Sequence, residues 1–144
     1  MSASTLSAPA HSRSLGRSAA AFAMAIIANV VLSVGTDQVL HVLHVYPPWG
    51  EPMYDASLNL LALSYRVVFS ILSGYLVARL APHSPMRHTV ILGAIAVVLS
   101  ALGVVATLTQ ELGPVWYPIA LAVLAFPCVW IGGILHEQSA GSSV

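Results

Sequence analysis

Residues 58–78 read LNLLALSYRVVFSILSGYLVA, an apolar run that carries a single charged residue, Arg66. A transmembrane helix needs about 20 consecutive, mostly apolar residues. The run is therefore long enough to cross a bilayer, and it is too long for a buried strand of a soluble protein. It predicts a membrane helix with an arginine inside the apolar layer.

Three further runs of similar length surround this one, at residues 18–36, 89–109 and 114–135, and none contains a charged residue. Because short segments connect the four runs, neighbouring helices are expected to be antiparallel. The sequence thus predicts an all-α protein, an integral membrane up-down four-helix bundle. The predicted boundaries are a disordered cytoplasmic tail at 1–15, one transmembrane domain at 16–137 and a short cytoplasmic tail at 138–144.

The composition of the chain supports a membrane protein. Of its 144 residues, 58% are hydrophobic and 7% are charged, and the mean hydropathy is +0.86. Soluble domains carry about 25% charged residues. Five basic residues balance five acidic ones, without a basic cluster, so a nucleic-acid partner is excluded. The expected surroundings are a lipid bilayer.

The distribution of arginines predicts the orientation of the helices. Arg13 and Arg17 precede the first run, and Arg79 and Arg87 flank the segment between the second and third runs. The other two connecting segments contain no arginine, and the chain has no lysine. Since cytoplasmic loops are enriched in basic residues, both termini are expected in the cytoplasm of a multi-pass protein.

The most polar stretch lies between the first two runs, at residues 35–55, GTDQVLHVLHVYPPWGEPMYD. Arg66 lies roughly 12 Å from the adjacent end of its own run, at 1.5 Å per residue. A charge at the bilayer centre costs about 2.5–3.5 kcal/mol, so Arg66 needs a partner. Asp37 lies near the outer end of the first run, where an Arg66 side chain that reaches outward can meet it. The sequence predicts an Asp37–Arg66 ion pair, which Asn59 joins from the same helix face.

A metal site is an alternative interpretation of the same stretch. On a helix, Asp37, His41 and His44 share one face, which is a plausible ligand set for a divalent metal such as zinc. Glu51 supplies a further oxygen ligand in this interpretation. No cofactor is otherwise expected. With a metal, a membrane-embedded metal-dependent hydrolase becomes a candidate function.

Transport is the other alternative. The charge of His41 and His44 can change near neutral pH, beside Asp37 and the fixed charge of Arg66. Four helices enclose little space, so a proton- or metal-coupled small-solute or ion carrier would need to be an oligomer. The leading interpretation is simpler: a non-enzymatic membrane component or accessory subunit with an outward-facing polar centre, in a homodimer or a larger membrane complex. No catalytic residue is assigned.

Small residues predict where the helices pack. In lipid, helices approach each other closely where their side chains are small. The third run carries such residues at alternating spacings of three and four, namely Gly93, Ala96, Ser100, Gly103 and Thr107. They predict a packing seam along the whole helix. A large side chain at Gly103 is then expected to disrupt the bundle.

Several motifs between residues 30 and 135 carry a family resemblance. They are GTDQVLH, YPPWGEPMYD, YRVVFSILSGYLVARLAP, PMRH and GPVWYP. In these the chain resembles uncharacterised bacterial four-span inner-membrane proteins, to which no activity is attached. The resemblance implies a bacterial inner membrane and four spans. It implies no catalytic role for any residue.

Overall fold

The computed structural model describes residues 10–142, with side chains from residue 14 onward. These residues form four helices and no strand: α1 (Ala10–Val42), α2 (Ala56–Leu80), α3 (Pro85–Thr107) and α4 (Trp116–Gly141). All four are long and apolar enough to cross a membrane. The predicted all-α architecture, an up-down bundle of four membrane helices, is confirmed.

The first and last helices are longer than the sequence predicted. Helix α1 begins at Ala10, so residues 10–15 are helical rather than part of a disordered tail, and α4 continues past residue 137 to Gly141. The rest of the two predicted tails, residues 1–9 and 143–144, lies outside the described residues. Both extensions continue an existing helix, because neither segment contains a proline that would end it within the described residues.

The residues that precede α2 and α3 differ in whether their side chains cap the helix. Asp55 caps α2: its carboxylate accepts hydrogen bonds from the backbone N–H groups of Ser57, at 2.8 Å, and Leu58, at 3.3 Å. Ser84 precedes Pro85, the first residue of α3, but it has a φ of 49° and its side chain makes no capping hydrogen bond. Pro85 thus occupies the first position of α3, where a missing N–H costs no helical hydrogen bond, and the Ser84 side chain does not cap the helix.

Helices α2 and α4 form the centre of the bundle. Helix α4 packs closely against both α2 and α3, whereas α1 packs mainly against α2, approaches α3 at a few positions and lies farther from α4 within the described residues. The buried core lies where α1 to α4 meet and comprises Ala21, Ala25, Val77, Leu92 and Val129. Helix α1 is therefore a peripheral helix, with most of its apolar surface exposed.

Close contacts between α2 and α4 depend on glycines. A Cβ atom added at Gly74 would collide with the backbone of Val129, and one added at Gly132 would collide with the backbone of Ile71 and Tyr75. The two helix backbones therefore approach each other as small-residue interfaces in membranes do. Gly74 and Gly132 thus make the close approach of α2 and α4 possible.

The predicted seam on α3 holds for only half of the helix. A Cβ added at Gly93 would lie 2.8 Å from the Phe126 ring, whereas one added at Gly103 would meet no atom within 4 Å. The expectation that Gly103 packs against a neighbouring helix is therefore wrong. Gly103 instead borders open space near the segment that joins α3 to α4.

Two connecting segments meet at one end of the bundle, which is called the outer end below. They are residues 43–55, between α1 and α2, and residues 108–115, between α3 and α4. The Met53 N–H donates a hydrogen bond to the Leu112 carbonyl, at 2.7 Å. The Tyr54 hydroxyl donates to the Glu111 carbonyl, also at 2.7 Å. These bonds tie the two loops together over the ends of the helices.

Candidate functional site

An ion pair between α1 and α2 lies below the outer loops. A nitrogen of the Arg66 guanidinium, Nη2, donates to Oδ2 of Asp37 at 2.5 Å. Asp37 is buried, although it lies near the end of α1. The structure therefore contains the ion pair that the sequence predicted, and the charge inside the span of α2 is matched by an opposite charge on the adjacent helix.

Two tyrosines complete the polar centre. The Tyr65 hydroxyl donates to the second oxygen of Asp37, Oδ1. The Tyr46 hydroxyl lies within hydrogen-bond distance of that of Tyr65, at 3.3 Å, and donates to the Leu58 carbonyl at 3.5 Å. Tyr46 belongs to the 43–55 loop and is buried. The resulting network, Tyr46–Tyr65–Asp37–Arg66, links the loop, α1 and α2.

Tyr46 is suited to its donor role by its position. Burial, the largest influence, raises the pKa of the Tyr46 phenol above its usual value near 10, although the hydrogen bond with Tyr65 acts in the opposite direction. The group is therefore protonated at neutral pH. It supplies a hydrogen bond and no negative charge beside Asp37.

Asn59 does not join the ion pair, which corrects the sequence-based expectation. Its amide Nδ2 donates to the carbonyls of Met53, at 2.9 Å, and Asp55, at 2.8 Å. Asn59 lies in the first turn of α2, where backbone carbonyls of the preceding loop are within reach. It is almost fully buried and fixes the end of the 43–55 loop to α2.

His41 is turned toward the loop rather than toward an ion site. Its ring stacks on Trp49, with centroids 4.0 Å apart and planes 2° apart. Its Nδ1–H donates to the backbone carbonyl of Asp37, at 2.7 Å. His41 therefore packs against the aromatic ring of the returning loop, as an interfacial residue does.

The predicted metal-ligand set is not brought together. His44 lies beyond the end of α1 with a φ of 56°, and both His44 and Glu51 are exposed. Both carboxylate oxygens of Asp37 are engaged by α2. Within the described residues, no group of three or more His, Cys, Asp or Glu side chains could hold a metal ion. The helix face that the spacing predicted ends at Val42, before His44.

A cavity of about 680 Å³ opens at the outer end between α2, α3 and α4. Arg66 lies in its wall, together with Asn59, Gly103 and Tyr117, and Glu111 lies on the loop that borders it. Its volume is within the range of about 300–1,000 Å³ that is typical of small-molecule sites. The open space beside Gly103 belongs to this cavity.

A smaller cavity of about 230 Å³ lies on the other side of Arg66, toward the middle of the bundle. The polar residues in its wall come from all helices but α4: Asn29, Ser33, Arg66, Ser70, Ser73 and Ser100. Arg66 and Ser100 line both cavities. The guanidinium is thus located between an outer and an inner space.

The roles of Tyr46 and Tyr65 in the polar centre were hard to predict from the sequence. Tyr46 belongs to the polar stretch at 35–55, yet the structure buries it against Tyr65. The signal available in the sequence was the Tyr65–Arg66 pair, two hydrogen-bond donors next to each other in an apolar run. Compared with protein-family models, with curated proteins and with solved structures, the chain matches none of them.

Proposed function

We propose that this protein is a non-enzymatic component of a bacterial inner membrane, in which the polar centre holds α1 in register with α2. The observation that carries the proposal is that both oxygens of the Asp37 carboxylate are bonded to α2, one to Tyr65 and one to Arg66. A catalytic carboxylate or a metal ligand needs an oxygen that faces substrate or metal. This closed network instead suits a fixed connection between helices.

The metal content of the purified protein tests this proposal. The wild type and the variants Asp37→Ala, His41→Ala and His44→Ala are purified in mild detergent without chelators. We expect no stoichiometric metal in any of them, and lower thermal stability for Asp37→Ala. Stoichiometric metal that all three substitutions remove would overturn the proposal and favour the hydrolase. A hydrolytic activity that a chelator abolishes would likewise overturn the proposal and favour the hydrolase.

The membrane orientation is part of the proposal. It is supported by the arginines, with Arg17 near the start of α1 and Arg79 and Arg87 around the loop between α2 and α3. Single cysteines at Ser142 and Glu51, in a Cys128→Ala background, test it in intact cells. A membrane-impermeant maleimide is expected to label the Glu51 position only. Labelling at Ser142 alone would invert the orientation.

A role as an accessory subunit, or as a homodimer, is supported by the exposed apolar face of α1, which includes Met24, Ile27, Val31 and Val34. Cysteines at Ile27 and, as a control on α4, at Val123 test self-association by oxidative crosslinking in membranes. A crosslinked dimer for Ile27→Cys alone supports a homodimer through α1. Equal crosslinking at both positions would indicate random collision.

A small-solute or ion carrier is the second candidate, and the two cavities that meet at Arg66 favour it. Together they place polar side chains on both sides of the guanidinium. Reconstitution into liposomes with a proton gradient tests this candidate. A carrier predicts pH-dependent flux that His41→Ala abolishes, whereas flux equal to that of empty liposomes would exclude it.

A further inference from the structure

We infer that the outer cavity binds an oxyanion attached to an apolar body, and that Arg66 and Tyr117 hold the oxyanion. The site is the cavity of about 680 Å³ between α2, α3 and α4. The inference goes beyond the proposed structural role of the polar centre, and it does not require that the bound molecule cross the membrane.

Arg66 retains hydrogen-bonding capacity after it has paired with Asp37. A guanidinium carries five N–H donors. Asp37 accepts a hydrogen bond from Nη2, and Nε is buried with no partner among the described residues. The Arg66 side chain is 31% exposed, against 12% for Asp37, and this exposed surface lines the two cavities. The exposed part of the guanidinium therefore faces the cavities, where an anion interacts more strongly than in bulk water.

Tyr117 provides a second donor in the same cavity. It lies in the first turn of α4 and lines the cavity with Arg66. Its ring contacts Trp116 edge-on, and its hydroxyl makes no hydrogen bond within the described part of the chain. A half-buried phenol without an acceptor, in the wall of the same cavity as a guanidinium, is suited to donate to a ligand oxyanion.

The rest of the wall suits an apolar body. Helix α3 contributes Gly103 and Val104, and α4 contributes Leu121. No atom lies within 4 Å of the position that a Cβ of Gly103 would take, so the wall is recessed there. An oxyanion at Arg66 would thus leave room for apolar atoms between α3 and α4.

The border of the cavity favours a single negative charge. Glu111 lies on the 108–115 loop at this border and is exposed. Its carboxylate repels a second anionic group that extends out of the cavity. The chemistry that fits is a monoanion, either a free organic acid from solution or an acidic lipid from the bilayer.

Binding of benzoate to the protein in phosphatidylcholine nanodiscs tests the free-acid source, measured by ligand-observed NMR titration. Benzamide, which has the same shape without the charge, is the matched ligand control. We expect benzoate to bind more tightly than benzamide. Because a hydrogen bond to a charged group contributes about 1.5–3 kcal/mol, Arg66→Met is expected to weaken benzoate binding about 10-fold or more.

Retention of phosphatidylglycerol tests the lipid source. The purified protein is incubated with equal amounts of phosphatidylglycerol and phosphatidylcholine in detergent, and the bound lipid is determined by native mass spectrometry. Preferential retention of phosphatidylglycerol by the wild type identifies an acidic lipid as the anion.

Gly103→Leu is the decisive variant for both experiments, since the new side chain fills the cavity without removing any contact. Val105→Leu, at an exposed position outside the cavity, is the matched control. We expect Gly103→Leu and Tyr117→Phe to reduce binding of benzoate or phosphatidylglycerol, and Val105→Leu to leave it unchanged. Binding that neither substitution reduces, or no preference for the anion in either experiment, would overturn the inference. The metal measurement tests the proposed function separately.

Discussion

Tyr65 and Asp37 lie on different helices, and the Tyr65 hydroxyl bonds to the one carboxylate oxygen that Arg66 leaves open. Two consecutive residues of α2 therefore hold a single side chain of α1. Successive residues point in directions about 100° apart on a helix, so Asp37 lies between the two side chains. A small rotation or sliding of α1 would break at least one of the bonds, and the network thereby determines the register of the two helices.

Breaking the ion pair from either side is expected to destabilise the bundle. Asp37→Asn or Arg66→Met alone should lower the free energy of unfolding by about 3 kcal/mol, because each leaves a buried group without its partner. The double variant should lose about 1–3 kcal/mol less than the sum of the two losses. Unfolding in detergent measures these differences, and Arg79→Met, at an exposed end of α2, is the control. Strictly additive losses would show that the pair contributes no coupling.

Removing the Tyr65 hydroxyl tests the second connection to Asp37. Tyr65→Phe leaves one carboxylate oxygen without a donor and should cost about 1 kcal/mol, as interhelical hydrogen bonds in membranes do. Tyr54→Phe is the matched control, because the Tyr54 hydroxyl bonds to an exposed loop carbonyl. Differential scanning fluorimetry should show a lower Tm for Tyr65→Phe than for the control. Equal Tm values for the two variants would contradict the proposed network.

Glycines of α3 and α4 should differ in their response to a larger side chain. At Gly132 a new Cβ collides with the backbone of α2, so Gly132→Ala should cost roughly 1–3 kcal/mol through overpacking. At Gly103 the space is open, and Gly103→Ala should gain up to about 1 kcal/mol from helix propensity. Thermal unfolding of both variants in one detergent tests this. Destabilisation by Gly103→Ala would restore the seam that the sequence predicted along all of α3.

Acid is expected to weaken the start of α2. Hydrogen bonds from the Ser57 hydroxyl and from the backbone N–H groups of Ser57 and Leu58 hold the pKa of Asp55 below its usual range. For a carboxyl whose pKa is lowered by folding, the stabilisation is present above the unfolded pKa, about 3.9, and is lost as the pH falls through the folded value. Between about pH 6 and pH 3, the Tm of the wild type should therefore fall more than that of Asp55→Asn. Parallel curves would show that the cap contributes no pH dependence.

The fold was predictable from the sequence because each membrane helix is encoded locally. Twenty apolar residues identify a span without reference to any other part of the chain. Which helices pack against each other was harder to predict from the sequence, because it depends on which small residues face each other. Gly132 and Gly103 are alike in the sequence, yet one lies at the contact of α2 with α4 and the other beside a cavity.

The candidate site was predictable only where a residue could be satisfied by a single kind of partner. An arginine within a span requires a nearby acid, and Asp37 lies near the outer end of the adjacent span. The histidines were misleading, because their spacing indicates a shared face only while the helix lasts, and α1 ends at Val42. The position of the Tyr46 side chain depends on the path of an irregular loop. No periodicity in the sequence describes such a path.

The peripheral position of α1 has a consequence for the biogenesis of the protein. Helix α1 precedes α2 to α4 in the chain and packs mainly against α2, so its docking depends chiefly on α2 rather than on the complete bundle. When α2 follows, Asp37 is already present to receive Arg66, whose entry into the bilayer would otherwise cost about 2.5–3.5 kcal/mol. The first hairpin is therefore expected to insert as a cooperative unit, before α3 and α4 have been synthesised.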